Sequence, residues 1–304
     1  MLRSASCAVC SKRMLGRCNF IAPMNAYRFA LLLVLSCVVG AISSSAAEPD
    51  TIVVRSGELR LSGLLWRPEG RGQFPAVLFN HGSGHATGVD ASGRRDQRHP
   101  EALGPVFARH GYVFLYLFRR GDGLSAGQGT PSADLMDRAF LSGGQEARDR
   151  VQLQSLEDEI GDALAGLAFV RSMPEVDAHR IAVVGHSFGG SLSLLLAERE
   201  STIRAVVVFS AAGYSWDRSP QLRARLMGAV DNMAAAVFFL NASNDYSLGA
   251  PKALSAELAR LGKSNRFNVY PPCGLTAEDG HQFVHMQIAT WEPDVFAFLD
   301  EHTN

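Results

Sequence analysis

The stretch that decides the fold is Ile181–Glu200, which reads IAVV at Ile181–Val184, GHSFGG at Gly185–Gly190 and SLSLLLAERE at Ser191–Glu200. Four apolar residues without alternation are typical of a strand that is buried on both faces, and the last segment has a helical composition. Small residues on both sides of Ser187 allow a tight turn between strand and helix. Such a turn lifts a serine hydroxyl above the edge of a sheet, so Ser187 is the candidate nucleophile.

A second Gly-x-Ser-x-Gly pattern, Gly123–Gly127, shows that the five residues alone are a weak signal. It lies several residues beyond the preceding strand, and the sequence predicts no helix close behind it. The strand–turn–helix context is therefore missing, and we interpret Ser125 as a loop serine.

The remaining pattern predicts a doubly wound, mostly parallel α/β sheet with an N-terminal antiparallel hairpin. Short apolar runs predict strands over Thr51–Ser56, Leu59–Arg67, Pro75–Asn80, Tyr112–Phe118, Arg180–Gly185, Arg204–Ser210, Ala236–Ala242 and Phe267–Tyr270. Helical patterns between them cover Glu101–His110, Leu156–Met173, Phe188–Glu200, Ala250–Leu261 and Pro293–Glu301. The stretch Gly121–Val151 has weak apolar periodicity, which favours a surface loop, with a mobile flap over the site as the alternative.

The N-terminal 47 residues have the composition of a leader. Arg28 precedes the apolar run Phe29–Ile42, and small residues follow up to Ala47. This order is typical of a secretory signal peptide, and the run is shorter than a membrane-spanning helix requires. We expect cleavage near Ala47 and export to the periplasm or the medium, with Met1 or Met24 as the start; an uncleaved membrane anchor is the alternative.

Residues 48–304 then form one α/β domain. Four of the five cysteines lie in the leader and only Cys273 follows it, so no disulfide within the domain is expected. The net charge of −1 and the lack of a basic stripe argue against a nucleic-acid partner. No His-Glu-x-x-His motif is present, and we expect neither a metal nor a cofactor.

A serine nucleophile needs a base, which is usually a histidine held by a carboxylate. On a sheet of this type the acid and then the histidine follow the serine along the chain. Asp245 comes directly after the predicted strand Ala236–Ala242 and is the candidate acid, with Asp217 as the alternative. His281 lies in a predicted loop between the last strand and the last helix and is the candidate base, with His285 as the alternative.

Two backbone N–H groups are needed to bind the oxyanion that forms during acyl transfer. We expect one from Phe188, the residue after the nucleophile, and one from the loop His81-Gly82-Ser83-Gly84, where Ser83 is the first choice and Gly82 the second. Three aromatic residues flank the proposed catalytic loops and are candidates for the wall of an acyl pocket or for core packing: Tyr214, Trp216 and Phe283.

Five short motifs together resemble the α/β-hydrolase superfamily: HGSG at His81–Gly84, RRGDG at Arg119–Gly123, GHSFGG at Gly185–Gly190, Asn244-Asp245 and Asp279-Gly280-His281. Within it the chain is most similar to dienelactone-hydrolase-like proteins and to the catalytic domains of prolyl oligopeptidases, over about residues 52–302. Dienelactone hydrolases use a cysteine where this chain has Ser187, and the propeller domain of the oligopeptidases is missing.

The resemblance implies the α/β-hydrolase fold and a serine hydrolase. Its substrate would be a small-molecule carboxylic ester or related acyl compound, cleaved through an acyl-enzyme on a Ser187–Asp245–His281 triad. Two alternatives remain at this point: an exported serine peptidase of the prolyl-oligopeptidase type, and a non-catalytic binding protein with the same fold.

Overall fold

The computed structural model describes residues 48–86, 88 and 99–303. Strands in this part are β1 (Asp50–Ser56), β2 (Leu59–Trp66), β3 (Phe74–Asn80), β4 (Val113–Leu117), β5 (Val176–His186), β6 (Ala205–Phe209), β7 (Ala236–Ala242) and β8 (Asn265–Tyr270). Helices are α1 (Pro100–Arg109), α2 (Ser132–Arg171), α3 (Phe188–Arg199), α4 (Pro220–Asn232), α5 (Gly249–Arg260), α6 (Ala277–His281), α7 (Phe283–Met286) and α8 (Ile288–Thr303).

The strands form one sheet in the order β1-β2-β4-β3-β5-β6-β7-β8. β1 pairs antiparallel with β2, and β2 with β4, whereas all pairs from β4 to β8 are parallel. Gly57, with φ of +57°, makes the turn between β1 and β2. The predicted doubly wound, mostly parallel sheet with an N-terminal antiparallel hairpin is therefore confirmed, and this strand order is that of the α/β-hydrolase fold.

Helices cover both faces of the sheet, which explains why the parallel strands are apolar throughout. Every residue of β4, β6 and β7 is buried. One core lies between the sheet and α2, α3, α4 and α5, and the other lies between the sheet and α1 and α8. Loops that leave the carboxyl ends of the parallel strands meet at one edge of the sheet, where a site can be assembled from distant parts of the sequence.

The stretch Gly121–Val151 differs from the prediction of an irregular loop or flap. A helix begins at Ser132, only a few residues after Gly127, and continues to Arg171 with an interruption at Gly143 and Gly144. Its apolar periodicity is weak because its buried face carries polar side chains, which include Asp149, Gln152, Ser155 and Glu159.

Helix α4 was not predicted either. Ser219 caps it by accepting a hydrogen bond from the Leu222 N–H, and Pro220 lies in its first turn.

The predicted signal segment, residues 1–47, lies outside the described residues, and export stays a prediction. Within the described part of the chain, no helix combines the length and the apolar composition needed to cross a membrane.

Candidate active site

The turn between β5 and α3 presents Ser187 at the edge of the sheet. Ser187 has φ of 55° and ψ of −117°, a conformation that is rarely adopted by residues with a side chain, and its N–H donates to the Phe209 carbonyl at 2.9 Å. Close backbone packing explains the glycines on either side. A Cβ on Gly185 would clash with the carbonyl of Gly189, and a Cβ on Gly189 would clash with the carbonyls of Asn80 and His81 at the end of β3.

The segment after β8 delivers His281 to this serine. His281 is the last residue of the short helix α6, and its Nε2 accepts a hydrogen bond from Ser187 Oγ at 2.8 Å. Thr276 and Asp279 form a capping box at the start of α6, in which Asp279 Oδ2 accepts two backbone N–H bonds. These backbone hydrogen bonds lower the pKa of Asp279, and they give this carboxylate a structural role.

Asp245 follows β7 and orients the imidazole of His281. The His281 Nδ1–H donates to Asp245 Oδ1 at 2.9 Å, while Asp245 Oδ2 accepts from Asn241 Nδ2 at 2.8 Å and Oδ1 also accepts from the Tyr246 N–H at 2.7 Å. Burial by itself raises the pKa of Asp245, but the hydrogen bond and charge of His281 outweigh it, so that the pKa lies below its ordinary value. The carboxylate is therefore ionised and oriented by three donors.

The alternative residues lie elsewhere. Asp217 is exposed in the turn before α4, and His281 bonds to Asp245 instead. His285 lies in α7, with its ring perpendicular to the His186 ring at 5.5 Å, and it is His281 whose Nε2 reaches Ser187.

The candidate oxyanion donors lie on both sides of Ser187. Phe188 is the first residue of α3, so its N–H has no partner within the helix. The loop after β3 passes close to the serine, since a Cβ on Gly82 would be 3.5 Å from the Cβ of Ser187. Ser83 follows directly and is half-buried. The structure thus brings the HGSG loop to the candidate nucleophile, as a hole with two donors would require.

Ser125, the serine of the second Gly-x-Ser-x-Gly pattern, has a different environment. It is buried in a short 3-10 turn, Gly123–Ser125, where its hydroxyl donates to the Phe118 carbonyl at 2.7 Å and accepts from the Ser62 N–H at 2.8 Å. Both bonds tie the end of β4 to β2. Its hydroxyl serves the packing of the hairpin side of the sheet.

The three aromatic candidates separate into one exposed ring and two buried ones. Tyr214 is 45% exposed and lies edge-to-face against Tyr246, whose own ring is 5.4 Å from the His281 ring. Trp216 is buried in the core on the α2–α5 face, and Phe283 is fully buried against Tyr270. The structure therefore connects Tyr214 to His281 through the ring of Tyr246, and it places Trp216 and Phe283 in the two cores on either side of the sheet.

Two asparagines support the candidate site in roles that were not predicted. Asn244 holds the His281 segment to the end of β7, because its Nδ2 donates to the carbonyls of Cys273 and Thr276 and its Oδ1 accepts from the Cys273 N–H. Asn241 is buried inside an otherwise apolar strand. A polar side chain in such a run is the signal that would have indicated its role.

His186 contacts the backbone of His281, the candidate base. Its Nε2–H donates to the carbonyl of His281 at 2.8 Å, and burial together with the neighbouring His281 lowers its pKa to about 3. A neutral ring at this position avoids a second positive charge beside His281 when that residue takes up a proton.

In the part of the chain that the structure describes, no three His, Cys, Asp or Glu side chains group closely enough to hold a metal ion.

Known proteins resemble this chain in sequence. Residues 64–287 match the dienelactone hydrolase family. Among curated proteins, the quorum-quenching protein AidA of Acinetobacter baumannii (strain MDR-ZJ06) is 26% identical over 159 residues, which are 52% of this chain and 42% of the relative. The chain therefore matches less than half the length of that protein.

Solved structures share the fold at low identity. Acylaminoacyl peptidase of Pyrococcus horikoshii superposes with a TM-score of 0.60 at 18% identity, over 84% of this chain and 42% of that chain. Est1E of Butyrivibrio proteoclasticus, solved with ferulic acid bound, gives 0.59 at 19% identity, over 83% and 98% of the two chains. The Pyrococcus furiosus esterase Pf2001 gives 0.57 at 14% identity, over 84% and 92%. Because the family match extends over most of the sequence and the strand order agrees with it, the chain belongs to the dienelactone hydrolase family, whose members are hydrolases of this fold.

Proposed function

We propose that this protein is a serine hydrolase that cleaves carboxylic esters, or closely related acyl compounds, through an acyl-enzyme on Ser187. The observation that carries the proposal is the continuous hydrogen-bonded chain from Ser187 Oγ to His281 Nε2, and from His281 Nδ1 to Asp245 Oδ1. A serine hydroxyl is a weak nucleophile until a base accepts its proton, and this arrangement supplies the base and its orienting carboxylate.

The proposed reaction has two halves. Ser187 Oγ attacks the ester carbonyl while its proton passes to His281 Nε2, and the protonated imidazole is stabilised by Asp245. His281 then returns the proton to the departing alkoxide, which leaves as the alcohol. In the second half, water gives a proton to His281 and attacks the acyl group, and the carboxylic acid is released as the proton returns to Ser187.

The two Gly-x-Ser-x-Gly serines provide a matched test. Ser187→Ala should reduce turnover of short p-nitrophenyl esters by roughly 10³-fold or more, with little change in thermal stability. Ser125→Ala should keep turnover and lower the free energy of unfolding by about 1–3 kcal/mol, because it leaves the Ser62 N–H and the Phe118 carbonyl without their buried partner. Full turnover by Ser187→Ala would refute the proposal.

Ester and amide substrates separate the esterase from a peptidase with the same triad. We expect the purified protein to hydrolyse an N-acyl amino acid p-nitrophenyl ester and to show no turnover of the matching p-nitroanilide above the background of Ser187→Ala, because an anilide is a far poorer leaving group and needs a site built to protonate it. Turnover of the anilide well above that background would favour the peptidase. A fluorophosphonate probe that fails to label Ser187 in the folded protein would favour a non-catalytic binding protein.

A further inference from the structure

A fully buried guanidinium lies behind the HGSG loop. Arg119, in the turn after β4, has no exposed surface; its Nε donates to Glu159 Oε2 at 2.5 Å and its Nη2 donates to the carbonyl of His81 at 2.7 Å. That carbonyl belongs to the same peptide unit as the Gly82 N–H. The proposed reaction uses neither Arg119 nor Glu159. Because burying an ion pair costs desolvation free energy, the pair at the back of this loop has a role other than the proposed proton transfers.

The ring of His81 holds the next peptide unit. The N–H of Arg119 can only donate, so His81 Nε2 accepts it, at 3.2 Å, and the ring proton lies on Nδ1. Nδ1 then donates to the carbonyl of Gly82 at 2.7 Å, and that carbonyl shares its peptide unit with the Ser83 N–H. The ring stacks on Tyr116 with an interplanar angle of 15°, which holds it in this orientation.

Holding a carbonyl fixes the direction of the N–H on the other side of the same peptide bond. A trans peptide is planar, so its N–H points away from its C=O. Arg119 therefore sets the direction of the Gly82 N–H, and His81 sets that of the Ser83 N–H. Without these bonds a loop with two glycines would have several accessible backbone conformations, in some of which a carbonyl would replace an N–H at the hole.

Arg119 also contacts the other side of the hole. Its guanidinium lies over the ring of Phe188 at 5.6 Å from the ring centre, and Phe188 is the residue whose N–H is the second proposed donor. Glu159 on α2 keeps the guanidinium in place. One buried cation thus touches both segments that must be positioned for the oxyanion.

Resting on the proposed serine hydrolase activity, we infer that Arg119 and His81 are positioning residues, which hold the two peptide units of the HGSG loop so that the Ser83 N–H, or in its place the Gly82 N–H, points at the reacting carbonyl oxygen. Neither side chain touches the substrate in this role. Their loss should weaken stabilisation of the oxyanion while leaving the Ser187–His281–Asp245 chain intact.

Arg119→Lys and Arg120→Lys make a matched pair for the test. A lysine at 119 keeps a positive charge beside Glu159 but lacks the second arm that reaches the His81 carbonyl. Arg120 is the next residue along the chain. It pairs with Asp162, a buried residue of α2, and this partner lies outside the HGSG loop. We expect Arg119→Lys to lower kcat about 10-fold with KM changed less than about 2-fold, and Arg120→Lys to change kcat less than about 2-fold.

His81 variants test the second peptide unit. Phenylalanine keeps the ring on Tyr116 and removes the Nδ1 donor, whereas asparagine places an amide N–H close to the position of Nδ1. We expect His81→Phe to lower kcat about 10- to 100-fold, at or below the roughly 10²- to 10³-fold that removal of one oxyanion donor costs, and His81→Asn to recover most of it.

A thionoester reports on the hole itself. Its sulfur accepts hydrogen bonds poorly, so a working oxyanion hole favours the oxygen ester over the matching thionoester. Arg119→Lys and His81→Phe should lower the ratio of the two kcat/KM values by about the factor lost in kcat, while the pH profile of kcat/KM stays at the wild-type position.

The outcomes separate this inference from the proposed function. Full turnover by Ser187→Ala overturns both. Loss of turnover in Ser187→Ala, together with an unchanged ester-to-thionoester ratio in Arg119→Lys and His81→Phe, overturns the positioning role alone. Equal losses on both substrates, or no recovery in His81→Asn, indicate a purely structural role and likewise overturn it.

Discussion

The backbone conformation of Ser187 leads to a prediction about stability as well as activity. With φ of 55° and ψ of −117°, the residue occupies a region that glycine adopts freely and other residues adopt at a cost of about 1–3 kcal/mol. The protein therefore stores conformational strain at its candidate nucleophile. Replacing Ser187 with glycine should release that strain, whereas replacing it with alanine should not.

The expected difference follows from two opposing effects. Release of strain favours Ser187→Gly over Ser187→Ala by about 1–3 kcal/mol, and the greater freedom of glycine in the unfolded chain offsets about 0.5–1 kcal/mol of this. Alanine is the proper reference because both variants lose the hydrogen bond to His281. A net gain of about 1 kcal/mol corresponds to a rise in Tm of about 2–4 °C for a domain of this size.

Urea unfolding and calorimetry of both variants measure the difference directly. Ser191 supplies a control, since it lies in the first turns of α3 in ordinary helical conformation. There the order should reverse, and Ser191→Gly should be less stable than Ser191→Ala by about 1 kcal/mol. If Ser187→Gly is no more stable than Ser187→Ala, the elbow is not strained and the reasoning is refuted.

Three further predictions concern the site and its supports. Asp245→Asn should lower kcat roughly 10³- to 10⁴-fold in steady-state assays, because the amide favours the wrong tautomer of His281. The pKa of Asp245 is lower in the folded than in the unfolded protein, so its carboxylate stabilises the fold at pH values above its ordinary pKa of 3.8. That stabilisation is lost as the pH falls through the lower pKa of the folded state. In acid unfolding experiments, the stability difference between wild type and Asp245→Asn should therefore shrink over this pH range. Gly189→Ala should cost at least about 1–3 kcal/mol of unfolding free energy and most of the turnover, because its methyl group would clash with the Asn80 carbonyl, whereas Gly127→Ala, with open space around it, should change neither.

Features that depend on neighbouring residues could be predicted from the sequence. The run Ile181–Val184 and the helix after Gly190 indicate a strand–turn–helix unit by their own composition, and the buried parallel strands follow from unbroken apolar runs. Candidate acid and base positions followed from their placement after strands, and the structure brings Asp245 and His281 together with Ser187.

Features that depend on tertiary contacts could not be predicted from the sequence. Arg119 and Glu159 lie 40 residues apart and both look like surface residues in the sequence, but in the fold they form a buried pair. The first half of α2 was not predicted either, because it buries few apolar side chains, among them Ala133 and Met136, and therefore shows weak apolar periodicity. Trp216 and Phe283 lie beside the candidate catalytic loops in the sequence, and only tertiary packing places their rings in the core.

Helix α3 begins immediately after Ser187 and nearly all of its residues are buried. The aligned peptide dipoles of a helix place about half a positive charge at its N-terminus, which here coincides with the proposed position of the oxyanion. Because protein rather than water surrounds α3, dissolved ions cannot screen this field effectively. Turnover of a neutral ester should therefore change less than about two-fold between roughly 10 mM and 1 M salt, so the chemistry would depend on the backbone and be largely independent of the ionic composition of the surroundings.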